Sequence, residues 1–210
     1  MTFETQKNFL GKTQTIYMAE VQSERWLSWI RLVIGSIYAV IAIFGVLLGT
    51  TKPLAFVIQA IAFTTLIGYS SFYIFGKIPK IQNNNFVYMI IFLDVCVITA
   101  ILGSYFFNGA GFNLITSAIF GTYFIAITFT SLHHKTSLSI FGGILSVIGY
   151  SVLYYLYSSK QSIPPEFAND YLLRVFLLMT VAGLGGIVSR NNSRTIQQVI
   201  SSEVRYHNLV

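Results

Sequence analysis

The sequence predicts an all-α membrane protein, a bundle of six transmembrane helices with a cytoplasmic C-terminal linker helix. Of its 210 residues, 54% are hydrophobic and only 10% are charged, whereas about a quarter of the residues in a soluble domain are charged. Six apolar runs are each long enough to cross a hydrocarbon core, which takes about 20 residues of helix. Backbone groups in lipid must be hydrogen-bonded within their own segment, so we expect these runs to be helices.

The six predicted spans follow one another with short connections, which makes consecutive helices antiparallel neighbours in a compact bundle. The runs are 26–48, 54–75, 86–107, 109–132, 137–157 and 171–188. Only three charged residues lie inside them, namely Arg31, Asp94 and Arg174. We therefore predict an N-terminal segment that is partly helical over 1–25, a transmembrane domain over 26–188 and a linker over 189–210.

The distribution of lysine and arginine predicts that both termini are cytoplasmic, because cytoplasmic loops close to membrane helices are enriched in these residues. With the N-terminus inside, the outer loops hold only Lys52 and Lys160. Arg31 lies near the inner end of the first span, from which its side chain can extend to the inner interface. The inner segments hold Lys7, Lys12, Arg25, Lys77, Lys80, Lys135, Arg190, Arg194 and Arg205. The expected location is the inner (plasma) membrane.

Several classes of function are excluded by composition and motifs. The net charge of +6 is scattered between apolar runs and forms no basic stripe, so we expect no nucleic-acid partner. Cys96 is the single cysteine and lies within an apolar run, where we expect a small buried side chain. His133 and His134 are adjacent, and adjacent histidines point to different sides of a helix, so no metal site is expected. No catalytic motif occurs, and no cofactor is expected in this chain.

Asp94 is the first candidate ligand-binding residue, because a carboxylate inside a span costs about 3 kcal/mol unless it is paired or protonated. Antiparallel packing of the third and fourth spans brings Thr122, Tyr123 or Thr128 within expected reach of it. Two interpretations remain open. Asp94 and Tyr123 contribute to a ligand or proton site, or Asp94 makes a hydrogen bond that holds helices together.

A second candidate site lies at the outer mouth of the sixth span, where Glu166, Asp170 and Arg174 cluster in sequence. The i, i+4 spacing lets Asp170 meet Arg174 on one helix face. An ordinary surface ion pair and helix cap would explain the group. Alternatively, with Glu166 close by, it could bind a cation or a small ligand that arrives from outside.

The exit segment 189–210 contains no glycine or proline, so we predict a continuous helix. Positions three and four residues apart form a short heptad seam with one charge in it, which is typical of a dimerising helix. The seam consists of Ile196, Val199, Glu203, Tyr206 and Val210. A polar helix that leaves a membrane and stops at Asn208-Leu209-Val210 is typical of a linker, so we predict that the chain is a fragment preceding an output domain.

The sequence resembles the six-span membrane anchors of bacterial class III adenylate cyclases. The resemblance rests on Glu24-Arg25 and Trp29-Ile30-Arg31 at the start of the first span, and on Ser189-Arg190 through Glu203-Val204-Arg205-Tyr206-His207-Asn208-Leu209-Val210 at the exit. It implies a homodimer whose exit helices set the geometry of two catalytic domains. None of that family's metal-binding aspartates is present, so no catalytic residue is carried over.

Two alternatives remain beside the cyclase anchor. Similar exits precede PAS-type sensors and histidine kinases, and only downstream sequence would separate these from a cyclase. A small transporter would use Asp94 for coupling or selectivity. The expected partners are the lipid bilayer, a second copy of the chain, a cytoplasmic output domain and a small ligand from outside or from the lipid.

Overall fold

The computed structural model of the chain describes residues 3–75, 84–108, 112–131, 135–159 and 166–207. Those residues form six α-helices and no strand, which confirms the all-α prediction for this part of the chain. In order, the helices are α1 (Phe3–Leu47), α2 (Pro53–Phe75), α3 (Asn84–Phe107), α4 (Phe112–Ser131), α5 (Thr136–Ser158) and α6 (Glu166–His207).

Five helical segments are long and apolar enough to cross a membrane, which identifies a multi-pass membrane protein. They are Glu24–Leu47, Pro53–Phe75, Phe86–Phe107, Thr136–Ser158 and Asn169–Ile196. The fourth helix has 20 residues, and the part of it with described side chains, Phe120–Ser131, is a shorter apolar helix. The sixth span therefore stays a prediction.

The turn between α1 and α2 explains why these two helices are antiparallel neighbours. Gly49 has a φ of 68°, a left-handed conformation that glycine adopts without steric cost and that commonly ends a helix. Its N–H donates to the Val46 carbonyl at 3.0 Å, and the Thr50 N–H donates to the Gly45 carbonyl at 2.9 Å. Pro53 then begins α2, at a position where its missing N–H costs nothing.

The helices pack in a continuous series. Helix α1 packs against α2, α2 against α3, and α3 against α4 and α5, while α4, α5 and α6 pack against one another. One end of the bundle, here called the exit end, is where α2 ends and α6 continues past Val188. Ring contacts between Trp29 and Phe75 and between Tyr73 and Phe86 join α1, α2 and α3 there. A hydrogen bond of 3.1 Å from Thr136 to the Gly186 carbonyl joins α5 to α6.

The opposite end of the bundle, here called the far end, is also joined by side-chain contacts. The Lys52 N–H donates to Asn108 Oδ1 at 2.8 Å, which connects the start of α2 to the end of α3. The rings of Tyr154 and Tyr171 stack with centroids 4.3 Å apart, which connects α5 to α6. Helices that follow one another in sequence therefore run in alternating directions.

Two hydrophobic clusters and a few polar bonds hold the helices together. The larger cluster joins the four helices α3, α4, α5 and α6. It is centred on Tyr123, Ile127 and Leu178, which are fully buried. The smaller joins α2 to α3, where Gln59 also donates to Ser104 Oγ at 2.7 Å. In a membrane the hydrophobic effect does not drive helices together, because lipid is as apolar as the helix surfaces. Interhelical hydrogen bonds therefore contribute to holding the helices together.

Both terminal helices extend beyond the apolar bundle. Helix α1 runs unbroken from Phe3, so the predicted boundary after residue 25 is not a break in the backbone. Helix α6 is likewise one helix to His207. Ser189 is fully buried at the exit end, and no described side chain of α6 beyond it is buried, so α6 leaves the bundle after this residue.

The expectation that Cys96 is buried was wrong. Its side chain lies on an exposed face of α3. Because the lipid-facing side of a membrane helix is as apolar as its packed side, apolar neighbours in sequence do not predict burial here.

Candidate functional site

The buried charges of the bundle meet around Arg31 of α1. Its Nη2 lies 2.8 Å from Asp94 Oδ2, and its Nε donates to the same oxygen at 3.0 Å. Its Nη1 lies 3.5 Å from Glu24 Oε2, and the Arg31 and Glu24 side chains are only 7% and 6% exposed. The guanidinium therefore connects α1 to α3 inside the apolar region.

The geometry of the helices explains how these groups come together. Glu24 and Arg31 are seven residues apart, about two turns, and so share one face of α1. Tyr69 of α2 donates a hydrogen bond to Asp94 Oδ1, and the Arg31 guanidinium lies 5.9 Å from the centre of the Tyr69 ring. Asp94 is thus held from two neighbouring helices, which fixes its orientation.

Two carboxylates contact one guanidinium in this cluster. Electrostatic interactions are stronger in an apolar interior than in water. Removing one partner from a buried pair leaves an uncompensated charge, which is far more costly than removing the pair. We call Glu24, Arg31, Tyr69 and Asp94 the ion network.

The expected partners of Asp94 on the fourth span were wrong in two cases. The Tyr123 hydroxyl bonds instead to Thr99 Oγ1 of α3 at 2.6 Å, and Thr128 donates to the Phe124 carbonyl of its own helix at 2.9 Å. The reason is that Asp94 lies on the side of α3 that faces α1 and α2. The expectation for Arg31 also needs correction: its side chain turns to Asp94 inside the bundle and does not extend to the interface.

A cavity of about 530 Å³ lies beside the ion network, between helices α1 to α5. Arg31 and Asp94 line it together with Thr122, Thr130 and Ser146, and its other walls are almost entirely apolar. The remaining lining residues are Ile34, Tyr38, Phe63, Leu66, Ile91, Val95, Val97, Ile98, Ile101, Leu102, Tyr105, Ile125, Ala126, Phe129 and Gly142.

The cavity opens sideways between α1 and α4. Ile34, Tyr38 and Ile125 line it and are nevertheless 37%, 40% and 51% exposed. Among the helices described, α1 packs extensively only against α2, so no extensive contact between α1 and α4 closes this side. The opening is apolar and faces the surroundings of the bundle.

The second candidate group lies at the far end of the bundle, away from the ion network. Asp170 and Arg174 form the predicted i, i+4 ion pair, with 2.9 Å between Oδ2 and Nη2. The Arg174 guanidinium also lies 5.7 Å from the centre of the Phe120 ring. The side chain of Glu166 lies outside the described residues. Asp94 and the Asp170–Arg174 pair are therefore separate sites.

No metal site is found in the described part of the chain, where no group of three or more His, Cys, Asp and Glu residues is arranged to hold an ion. His133 and His134 lie outside it, as do the side chains of Glu203 and Tyr206 in the predicted seam.

Sequence reasoning missed the pairing of Arg31 with Asp94. A signal for it was present: both residues lie near the same end of odd-numbered spans, which run parallel, and so their depths in the membrane match. Glu24 and Tyr69 carry no such signal, because one precedes the predicted first span and the other is one of 13 tyrosines.

Comparison with known proteins adds no relative from which a function could be transferred. No protein-family model matches the chain, and no curated protein or solved structure matches it significantly.

Proposed function

We propose that this chain is the membrane domain of a homodimeric bacterial signalling protein. In this proposal it spans the inner (plasma) membrane six times with both termini in the cytoplasm, and α6 transmits changes in the bundle to a cytoplasmic output domain. The output domain is a class III adenylate cyclase, which makes cyclic AMP. The chain itself supplies anchoring, dimerisation and transmission, and no catalytic group.

The observation that carries this proposal is the continuity of α6. This helix begins at the far end of the bundle, packs against α4 and α5, and continues without a break to His207. A continuous helix resists bending, so a rotation or shift of its membrane part moves its outer part as well. Close packing supports such coupling: a Cβ added at Gly185 would lie 2.6 Å from Ser139 Oγ, so α5 and α6 have little room to move independently.

The dimer follows from the outer part of α6. Val199 is 58% exposed and Ile196 is partly buried in the single chain, and both belong to the predicted heptad seam. An isolated helix of this length is marginally stable in water. Pairing with a second copy would bury the seam and stabilise the helix.

The cyclase assignment rests on the resemblance at the start of α1 and along the exit segment. To test it, the complete gene product is expressed in bacteria that lack adenylate cyclase, and cyclic AMP is measured. Production of cyclic AMP in these cells would support the assignment. Its absence, when the protein is present in membranes, rejects the cyclase and leaves a histidine kinase or PAS-type sensor, which is then sought by phosphorylation of the purified protein.

Transmission through α6 is tested by insertions of alanine after Asn192 in the same gene product. Two residues rotate the outer helix by about 200°, whereas seven restore its phase to within about 20°. We expect cyclic AMP output to change with two residues and to be preserved with seven. Equal output from both variants would show that the helix is only a tether.

Transport is the second candidate function, because Asp94 lines the cavity. Its pairing with Arg31 and Tyr69 weakens this candidate, since a coupling carboxylate must exchange partners during transport. Proteoliposomes that contain the chain decide the matter: a proton leak or flux abolished by Asp94→Ala would favour transport over signalling.

A further inference from the structure

We propose that the cavity lined by helices α1 to α5 binds an uncharged, elongated, lipid-soluble molecule with a single hydroxyl head group. This molecule enters sideways from the bilayer. Binding follows from the cavity itself. The role of this molecule as the signal for the output domain rests on the function proposed above.

The size and lining of the cavity define the body of the ligand. Its volume of about 530 Å³ lies within the range of small-molecule sites, about 300–1,000 Å³. Apolar side chains such as Phe63, Ile98 and Phe129 form most of its wall, which suits an aliphatic chain. However, such a chain is equally at home among lipid tails. Selective binding therefore depends on the polar groups of the cavity.

Ser146 and Asp94 are the polar groups that define the head. The Ser146 side chain is fully buried, and its hydroxyl has no hydrogen-bond partner among the residues described. A buried hydroxyl without a partner is destabilising, so a ligand that supplies one binds more tightly. Asp94, whose side chain is 21% exposed, adds a hydrogen-bond acceptor to the same cavity.

The heights of these two residues are compatible with one end of a single ligand. A Cβ added at Gly149 of α5 would lie 2.6 Å from Thr99 Oγ1 of α3, which places these two positions at about the same level. Asp94 lies five residues before Thr99, and Ser146 lies three residues before Gly149. Their levels differ by two residues of helical rise, roughly 3 Å.

The charged groups beside the cavity favour an uncharged head. The Asp94 carboxylate lines the cavity and would repel an added carboxylate or phosphate in an apolar interior, while the Arg31 guanidinium already bonds to Asp94 and Glu24. A cationic head would have to leave water and pass the apolar opening formed by Ile34, Tyr38 and Ile125, which is costly. A hydroxyl can both donate and accept a hydrogen bond without either penalty.

The experiment uses the full chain in phospholipid nanodiscs and a long-chain alcohol that carries a photoreactive diazirine. Competitors with the same twelve-carbon chain vary only the head: dodecanol, dodecane, dodecanoate and dodecylamine. We expect saturable labelling of peptides from α3 to α5, with dodecanol as the strongest competitor. The dimer and the cyclic AMP output are measured separately, so failure of binding and failure of the proposed function are distinguishable.

Two variants test the site itself. Ala126→Phe fills the cavity from α4 and should abolish the saturable labelling. Thr128→Phe places the same ring on an exposed position of the same helix and should leave it unchanged. Ser146→Ala removes a hydroxyl that has no hydrogen-bond partner in the described part of the chain, so folding should be kept, and dodecanol should compete about fivefold to tenfold less well.

Three outcomes would overturn the proposal. Labelling that does not saturate, or that Ala126→Phe leaves unchanged, would mean that the cavity holds only bulk lipid chains. Stronger competition by dodecanoate or dodecylamine would refute the uncharged head. Cross-linking of Ile125→Cys between two copies, together with absent labelling, would assign the opening to a protein interface.

Discussion

Arg31 is the residue on which the charge balance inside the bundle depends. It lies between Asp94 and Glu24, with Tyr69 bonded to the far oxygen of Asp94. Because Arg31 contacts two carboxylates, removing Arg31 should lower the free energy of unfolding more than removing either acid alone. The arrangement therefore predicts unequal effects for residues that form the same ion pair.

Arg31→Met should lower the free energy of unfolding by about 3–5 kcal/mol, because two buried carboxylates lose their shared cation. Asp94→Leu should cost less, since Arg31 keeps Glu24 at 3.5 Å. The measurement is reversible unfolding in mixed micelles. The double variant should be more stable than Arg31→Met alone, which a double-mutant cycle would detect.

The matched control is Asp170→Asn at the far end, where the ion pair with Arg174 is more exposed. Asp170→Asn should lower the free energy of unfolding by less than about 1 kcal/mol. Equal losses for Arg31→Met and Asp94→Leu would mean that Glu24 does not contribute to the network.

At the scale of the helices, close approach depends on a few glycines. Gly149 of α5 lies against the point where Thr99 of α3 bonds to Tyr123 of α4. A Cβ at this position would lie 2.6 Å from both hydroxyl oxygens. Gly68 of α2, by contrast, is exposed, and a Cβ added there would meet no other part of the described residues within 4 Å.

Gly149→Ala should destabilise the bundle by about 1–3 kcal/mol, because the added methyl group overpacks a junction of three helices. Gly68→Ala should be neutral or stabilising, since alanine favours helix by about 1 kcal/mol over glycine. Thermal unfolding of the purified protein compares the two. If both variants behave alike, the glycine at 149 is not required for packing.

The outer part of α6 predicts a specific dimer contact. With the native cysteine removed by Cys96→Ser, Val199→Cys should form an intermolecular disulfide in oxidised membranes, because it lies on the seam. Ser201→Cys should not, since two residues turn a helix by about 200° and place it on the opposite side. Non-reducing gels read the result. Equal cross-linking of both would contradict the seam.

The extent of the helices could be predicted from sequence, but their contacts could not. The run 54–75 became α2 (Pro53–Phe75) because the length of an apolar run follows from the thickness of the bilayer. The bond between Arg31 and Asp94 joins residues 63 positions apart. Lipid-facing and packed sides are equally apolar, as Cys96 illustrates, so hydrophobic periodicity does not indicate which sides meet.

For the molecule as a whole, the number of spans determines where α6 emerges. If α4 crosses the membrane, the number of spans is even and both termini lie on one side; if it does not, they lie on opposite sides. The far-end contacts favour crossing. The Lys52 N–H bonds to Asn108, and the rings of Phe106 and Tyr157 lie 5.1 Å apart, so the start of α2 and the ends of α3 and α5 share one end.

Single cysteines in the Cys96→Ser background test this with a membrane-impermeant maleimide on intact cells. Thr50→Cys and Ser159→Cys at the far end should be labelled, whereas Gln22→Cys and Gln198→Cys should react only after the cells are opened, because the lysine- and arginine-rich end faces the cytoplasm. If α4 does not cross, Ser159→Cys becomes protected and Gln198→Cys becomes reactive from outside. That result would place the end of α6 outside the cell and reject a cytoplasmic output domain.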